Sequence, residues 1–192
     1  MTTNNIVNTS LSGQTGTGSF VGSTSPTLVT PTLGAANATS ISFSSTTGIV
    51  GTTTNNNAAA GSVGELISSS VATPGTSLTS TVSADVTSIL LTAGDWDVWG
   101  IVNCAVGGTT TTSRVSGWIS STSATPPTAP NNGAYAYMDL SAAANTGEPT
   151  YFYVGQIRFS ISGNTTVYLS ANCVFAVSTM SAFGFIGARR VR

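Results

Sequence analysis

Three observations predict an all-β fold, a jelly-roll-like β-sandwich of residues 65–192 behind a long uncharged N-terminal segment. The C-terminal two thirds alternate apolar and polar residues with a period of two, the repeat of a half-buried strand. Turn signals separate these runs at short intervals, as in sandwiches and jelly rolls. No segment of useful length shows the helical period.

Taken in order, the first 64 residues are almost entirely Thr, Ser, Gly, Asn, Ala, Val and Pro, and the first ionisable side chain is Glu65. They lack an a/d heptad, and their β-branched residues disfavour helix. Their glycines show no three-residue period, which excludes collagen. A segment this poor in large apolar side chains cannot order itself on a core of its own. It is therefore expected to lie against copies of itself or a partner. Residues 1–20 are read as an attachment arm, 21–64 as a thin extended β shaft, and 65–192 as the head.

In the head, strands are predicted at 65–72, 86–92, 95–106, 113–120, 134–140, 151–160, 166–175 and 181–191. Gly94-Asp95, Gly107-Gly108, Asn131-Asn132-Gly133 and Ser162-Gly163-Asn164 mark turns. In the run 95–106 the even positions Trp96, Val98, Val102, Cys104 and Val106 make one apolar face. Trp99 and Ile101 make the other face partly apolar, so this strand is expected to be covered on both sides. Val167, Leu169, Ala171, Cys173 and Phe175 form the inward face of the run 166–175.

Composition narrows the function. Only 6% of the 192 residues are charged, the net charge is −1, and neither Lys nor His occurs. Nucleic-acid binding through phosphate contacts is not expected of such a chain. A His-dependent triad or His metal site is excluded. No apolar run approaches the roughly 18 residues of a membrane span, and no signal peptide opens the chain, so synthesis in a cytoplasm is expected. That origin favours free thiols for Cys104 and Cys173, the only two cysteines.

Few motifs carry chemistry. Asp95 and Asp97 straddle Trp96 and could in principle serve acid–base or Ca²⁺ chemistry. At the start of a strand they read better as a solvated edge or turn cap. Arg189, Arg190 and Arg192 end an alternating strand and are expected to pair with acids of this chain or of a neighbouring subunit. The glycines at 13, 16 and 18 lack the strand, helix and Lys of a phosphate loop. The proline-rich stretch 123–133 reads as an exposed loop followed by two tyrosines at strand spacing. Pro127, Asn131, Asn132, Tyr135 and Tyr137 are accordingly the candidate receptor-facing residues. No catalytic, cofactor-binding or metal-binding residue is expected.

The stretch Ser12 to Gly34, SGQTGTGSFVGSTSPTLVTPTLG, resembles a segment widespread in tail-fibre and related virion proteins of tailed bacteriophages. Leu91 to Gly100 and the run from Thr165 to Arg192 are similar to distal domains of such fibres. The resemblance implies a homotrimer, a particle-binding N-terminus, an interwoven shaft and a distal head, and it carries no catalytic residues. The expected function is thus a non-enzymatic short tail fibre or spike of the virion, made in the host bacterial cytoplasm. Its partners would be itself, another virion protein bound through the arm, and a glycan or protein of the host surface. A capsid decoration or head-fibre protein is the alternative. A glycan-degrading tailspike is the lesser one, since it needs a carboxylate pair in a groove and only six acids are present.

Overall fold

The computed structural model describes residue 40 and residues 51–141 and 146–192. The attachment arm and most of the shaft lie outside the described residues. One compact unit spans Thr53–Arg192, so residues 53–64 belong with the sandwich they precede.

Eight strands form it: β1 (Leu66–Ser77), β2 (Ala84–Leu91), β3 (Gly94–Val106), β4 (Thr111–Ser120), β5 (Gly133–Asp139), β6 (Thr150–Ile161), β7 (Thr165–Ala176) and β8 (Met180–Arg190). They match the eight predicted runs. The largest difference is β1, which continues past a bulge between Val71 and Thr76, where Gly75 takes a positive φ of 77°.

Two four-stranded antiparallel sheets result, ordered β1-β8-β3-β6 and β2-β7-β4-β5. The pairings β1·β8, β2·β7, β3·β6 and β4·β5 are nested, like successive rungs of one long hairpin. Folding that hairpin over brings β8 onto β3 and β7 onto β4.

The core lies between the sheets. Trp96, Val98, Val102 and Cys104 of β3 face Val115 and Ile119 of β4 and Val167, Leu169, Ala171 and Cys173 of β7, all essentially without solvent exposure. The predicted phase of both strands is observed. The Cys104 and Cys173 thiols belong to opposite sheets and stand 3.6 Å apart, both free. Contact with Cys173 and burial push the Cys104 thiol above its ordinary range.

The expectation that β3 is covered on both sides does not hold among the described residues. Trp99 is half-buried and Ile101 is 41% exposed. The outward face of the β1-β8-β3-β6 sheet has no layer over it among the described residues.

Residues 53–65 close one end of the sandwich. Asn57 acts as a strand partner for the edge strand β1: its Oδ1 accepts from the Leu66 N–H and its Nδ2 donates to the Leu66 carbonyl, both at 2.8 Å. The Gly64 N–H donates to the Arg190 carbonyl, and the Arg190 N–H to that of Glu65. The chain therefore enters and leaves the sandwich side by side, at what is termed here the entry end.

Candidate functional site

The loop singled out by sequence, residues 121–132, joins β4 to β5 and leaves the sandwich at the entry end. It folds back across the outward face of the β2-β7-β4-β5 sheet. Cross-strand pairing there aligns one row of side chains, Asp85, Ser170, Trp118 and Tyr135. Asp85, at the far end of that row, pins the loop. Its carboxylate accepts from Ser123 Oγ (2.5 Å), the Ala124 N–H (2.7 Å) and Ser170 Oγ (2.6 Å). These bonds carry residues 123 and 124 from the end of β4 to β2, and the outward-pointing Trp118 is 2% exposed. The loop's other end is fixed by close approach: a side chain at Gly133 would lie 2.1 Å from the Ile119 carbonyl oxygen and 3.0 Å from Pro127.

Four of the five candidate residues gather around this loop. Pro127, Asn131 and Asn132 line a hollow of 320 Å³ whose other wall includes Arg158 and Ser160 of β6. Pro127 also borders a second hollow of 490 Å³, shared with Tyr135 and Gln156. The Tyr135 ring stacks on Trp118 with centroids 5.8 Å apart, which holds it as a fixed, half-exposed platform. Tyr137 stands apart from both hollows, next to Arg114, which pairs with Asp139 at 2.6 Å. Sequence reasoning missed Asp85 and Trp118. The signal for Asp85 was present, since a lone acid beside an otherwise uncharged strand needs donors.

The other motifs resolve into ion pairs at the entry end. Asp95 is not the solvated edge expected of it. It is 5% exposed and accepts two 2.6 Å bonds from Arg158, with Arg192 at 3.2 Å. The Arg158 guanidinium holds its carboxyl below the ordinary carboxylate range. Arg190 points inward, lies over the Trp96 ring at 4.2 Å and bonds Glu65 at 2.9 Å, the Ala93 carbonyl and Thr92 Oγ1. Glu65 also accepts from the Gly61 N–H at 2.8 Å, and that bond, with Arg190, lowers its carboxyl pKa.

Among the described residues no three His, Cys, Asp or Glu side chains gather as metal ligands. Asp95 is occupied by the Arg158 and Arg192 guanidinium groups, and Arg158 also stands cross-strand from Asp97. The loop and its hollows offer hydroxyl, amide and aromatic contacts, with the Arg158 guanidinium on one wall, a surface suited to binding. No family model, curated protein or solved structure matches the chain.

Proposed function

We propose that the chain is a non-enzymatic structural component of a bacteriophage virion, a short homotrimeric tail fibre or spike docked through its N-terminal arm. The observation that carries this reading is the Ser12 to Gly34 segment, long and patterned enough to be distinctive in an otherwise uncharged stretch. The nested strand order supports it: a long hairpin rolled into two four-stranded sheets is the arrangement of a jelly roll, a recurring architecture of virus-particle proteins. Scarcity of charge supports it too, because Thr, Ser, Ala and Val surfaces pack against other chains without a large desolvation cost.

In this reading the 121–132 loop, with Pro127, Asn131, Asn132 and Tyr135 gathered around it and Tyr137 nearby, is the candidate contact for a host surface.

Labelled protein imaged on purified virions tests the proposal. Label at the tail is expected, and deletion of residues 1–20 should leave a folded head that no longer assembles. Label on the shell instead would make the chain a head fibre. Normal copy number on particles after the deletion would overturn arm docking.

A further inference from the structure

The outward face of the β1-β8-β3-β6 sheet does not look like a surface built for water. Cross-strand register sorts its side chains into rows running β1, β8, β3, β6. At the entry end lies Leu66, Arg189, Asp97, Arg158; next Ser68, Gly187, Trp99, Gln156; then Ser70, Phe185, Ile101, Tyr153; and last Phe183, Asn103, Tyr151. Six large apolar or aromatic side chains thus adjoin across three strands. Tyr151, Tyr153 and Ile101 are 62%, 55% and 41% exposed. A free antiparallel sheet face is ordinarily polar; the opposite sheet also exposes Leu90, Tyr135 and Tyr137, but sets polar or charged Ser88, Arg114 and Asn172 among them.

The patch is filled in at Gly187 and opens toward the entry end as a shallow hollow of 410 Å³ lined by Asp97, Trp99, Tyr153, Gln156 and Arg189. Gly187 has no side chain, and the Trp99 ring fills that space: a Cβ at Gly187 would fall 2.8 Å from Trp99 and 2.9 Å from Phe185. Tyr151 packs edge-on to Phe183. Beneath them the Asn103 Oδ1 is buried with no donor.

We infer that this face is buried against a second copy of the same chain. Charge complementarity selects that occupant. Asp97 and Arg189 stand in one row at the edge of the patch, and neither makes an ion pair or side-chain hydrogen bond among the described residues, although Arg158, Arg190, Arg192, Asp95 and Glu65 all do. Asp97 stands between Arg189 and Arg158 in that row and acts electrostatically on Arg158; a row alternating base, acid, base complements a copy of itself, whereas a wholly acidic or basic partner would meet part of it with like charge. Size agrees. Four strands about 4.8 Å apart and four outward rows about 6.8 Å apart present roughly 500 Å² in projection, and accessible area exceeds projection. A standard interface hides about 800 Å² per partner. The inference rests on the reading of a self-associating virion protein and names the face it uses; the number of chains belongs to that reading.

Sedimentation velocity of the full chain at about 10 µM tests it. The parent should sediment as an oligomer. Ile101→Glu with Tyr153→Glu should shift the population to monomer while the far-ultraviolet circular dichroism stays that of an all-β protein. Leu90→Glu, at an exposed position outward on the other sheet, should leave the oligomer intact. As a variant with no folding risk, Ile101→Cys should give disulfide-linked dimers on mild oxidation, and Leu90→Cys should not. An oligomer that survives both glutamates, or one that Leu90→Glu dissolves, overturns the assigned face and leaves the virion reading standing. A monomeric parent overturns the interface together with the oligomeric half of that reading.

Discussion

Replacing Arg190 by Met should cost about 4 kcal/mol of stability. The side chain is 5% exposed and serves Glu65, itself 9% exposed, as well as the Ala93 carbonyl and Thr92 Oγ1. Met preserves length and continues to cover Trp96, so the loss is chiefly electrostatic. Breaking one side of a buried pair costs about 3–5 kcal/mol, because the other charge is left uncompensated. Loss of the cation over the indole adds up to about 2 kcal/mol, and the Gly61 N–H, which still serves Glu65, offsets part of the total. For a domain of this size each kcal/mol moves Tm by about 3 °C, so thermal unfolding followed by circular dichroism should drop by about 12 °C. Adding Glu65→Gln should restore part of the loss, since the orphaned carboxylate is gone. A Tm within about 3 °C of the parent, or a double variant no more stable than the single one, would refute the claim that this pair is buried and mutually dependent.

Four further outcomes are expected. Trp96→Ala, at a fully buried position, should cost about 3–5 kcal/mol and abolish the soluble head; a variant melting within a few degrees of the parent contradicts the packing. Cys104 and Cys173 should resist a thiol reagent in the native protein and both react after unfolding without reductant; two unreactive thiols that reductant restores would reveal a bridge. Glu65 and Asp95 titrate below their ordinary values of 4.5 and 3.8, so their contribution is complete above those values and disappears as pH falls through the lower folded ones. Urea midpoints should therefore hold through mildly acidic pH and decline below about pH 4, and a midpoint unchanged down to about pH 2 would exclude the contribution. Asp85→Ala should release the 121–132 loop, read as faster proteolysis within it and increased Trp118 solvent exposure in fluorescence quenching.

Strand positions were legible because burial on one face imposes a two-residue alternation that survives in the sequence, as at Val167, Leu169, Ala171 and Cys173. Their pairing was not, because β1 meets β8 across the whole length of the head and nothing local to Leu66 records Arg189. The same distance hid the Glu65–Arg190 pair, though its partners are the first acid and one of the last bases of the chain. The candidate loop was recognisable from proline and turn residues. Its direction was not, because that depends on Asp85 in a strand 38 positions from Ser123. Asp95 was misjudged since spacing identifies a shared face and says nothing of which guanidinium groups cover it. The apolar second face of β3 was visible in Trp99 and Ile101, but nothing in the spacing of one strand records what covers it.

Adjacency of the first and last strands gives the head a polarity that an engineer can use. A protein fused after Arg192 would emerge beside residues 53–65, which close the same end. A peptide inserted at Val177, 78% exposed in the turn between β7 and β8, would emerge at the other end and stand clear of it. Joining residue 192 to residue 53 by a linker and reopening the chain at that turn would give a circular permutant that keeps every strand pairing and the Asn57 and Gly61 contacts that close the end.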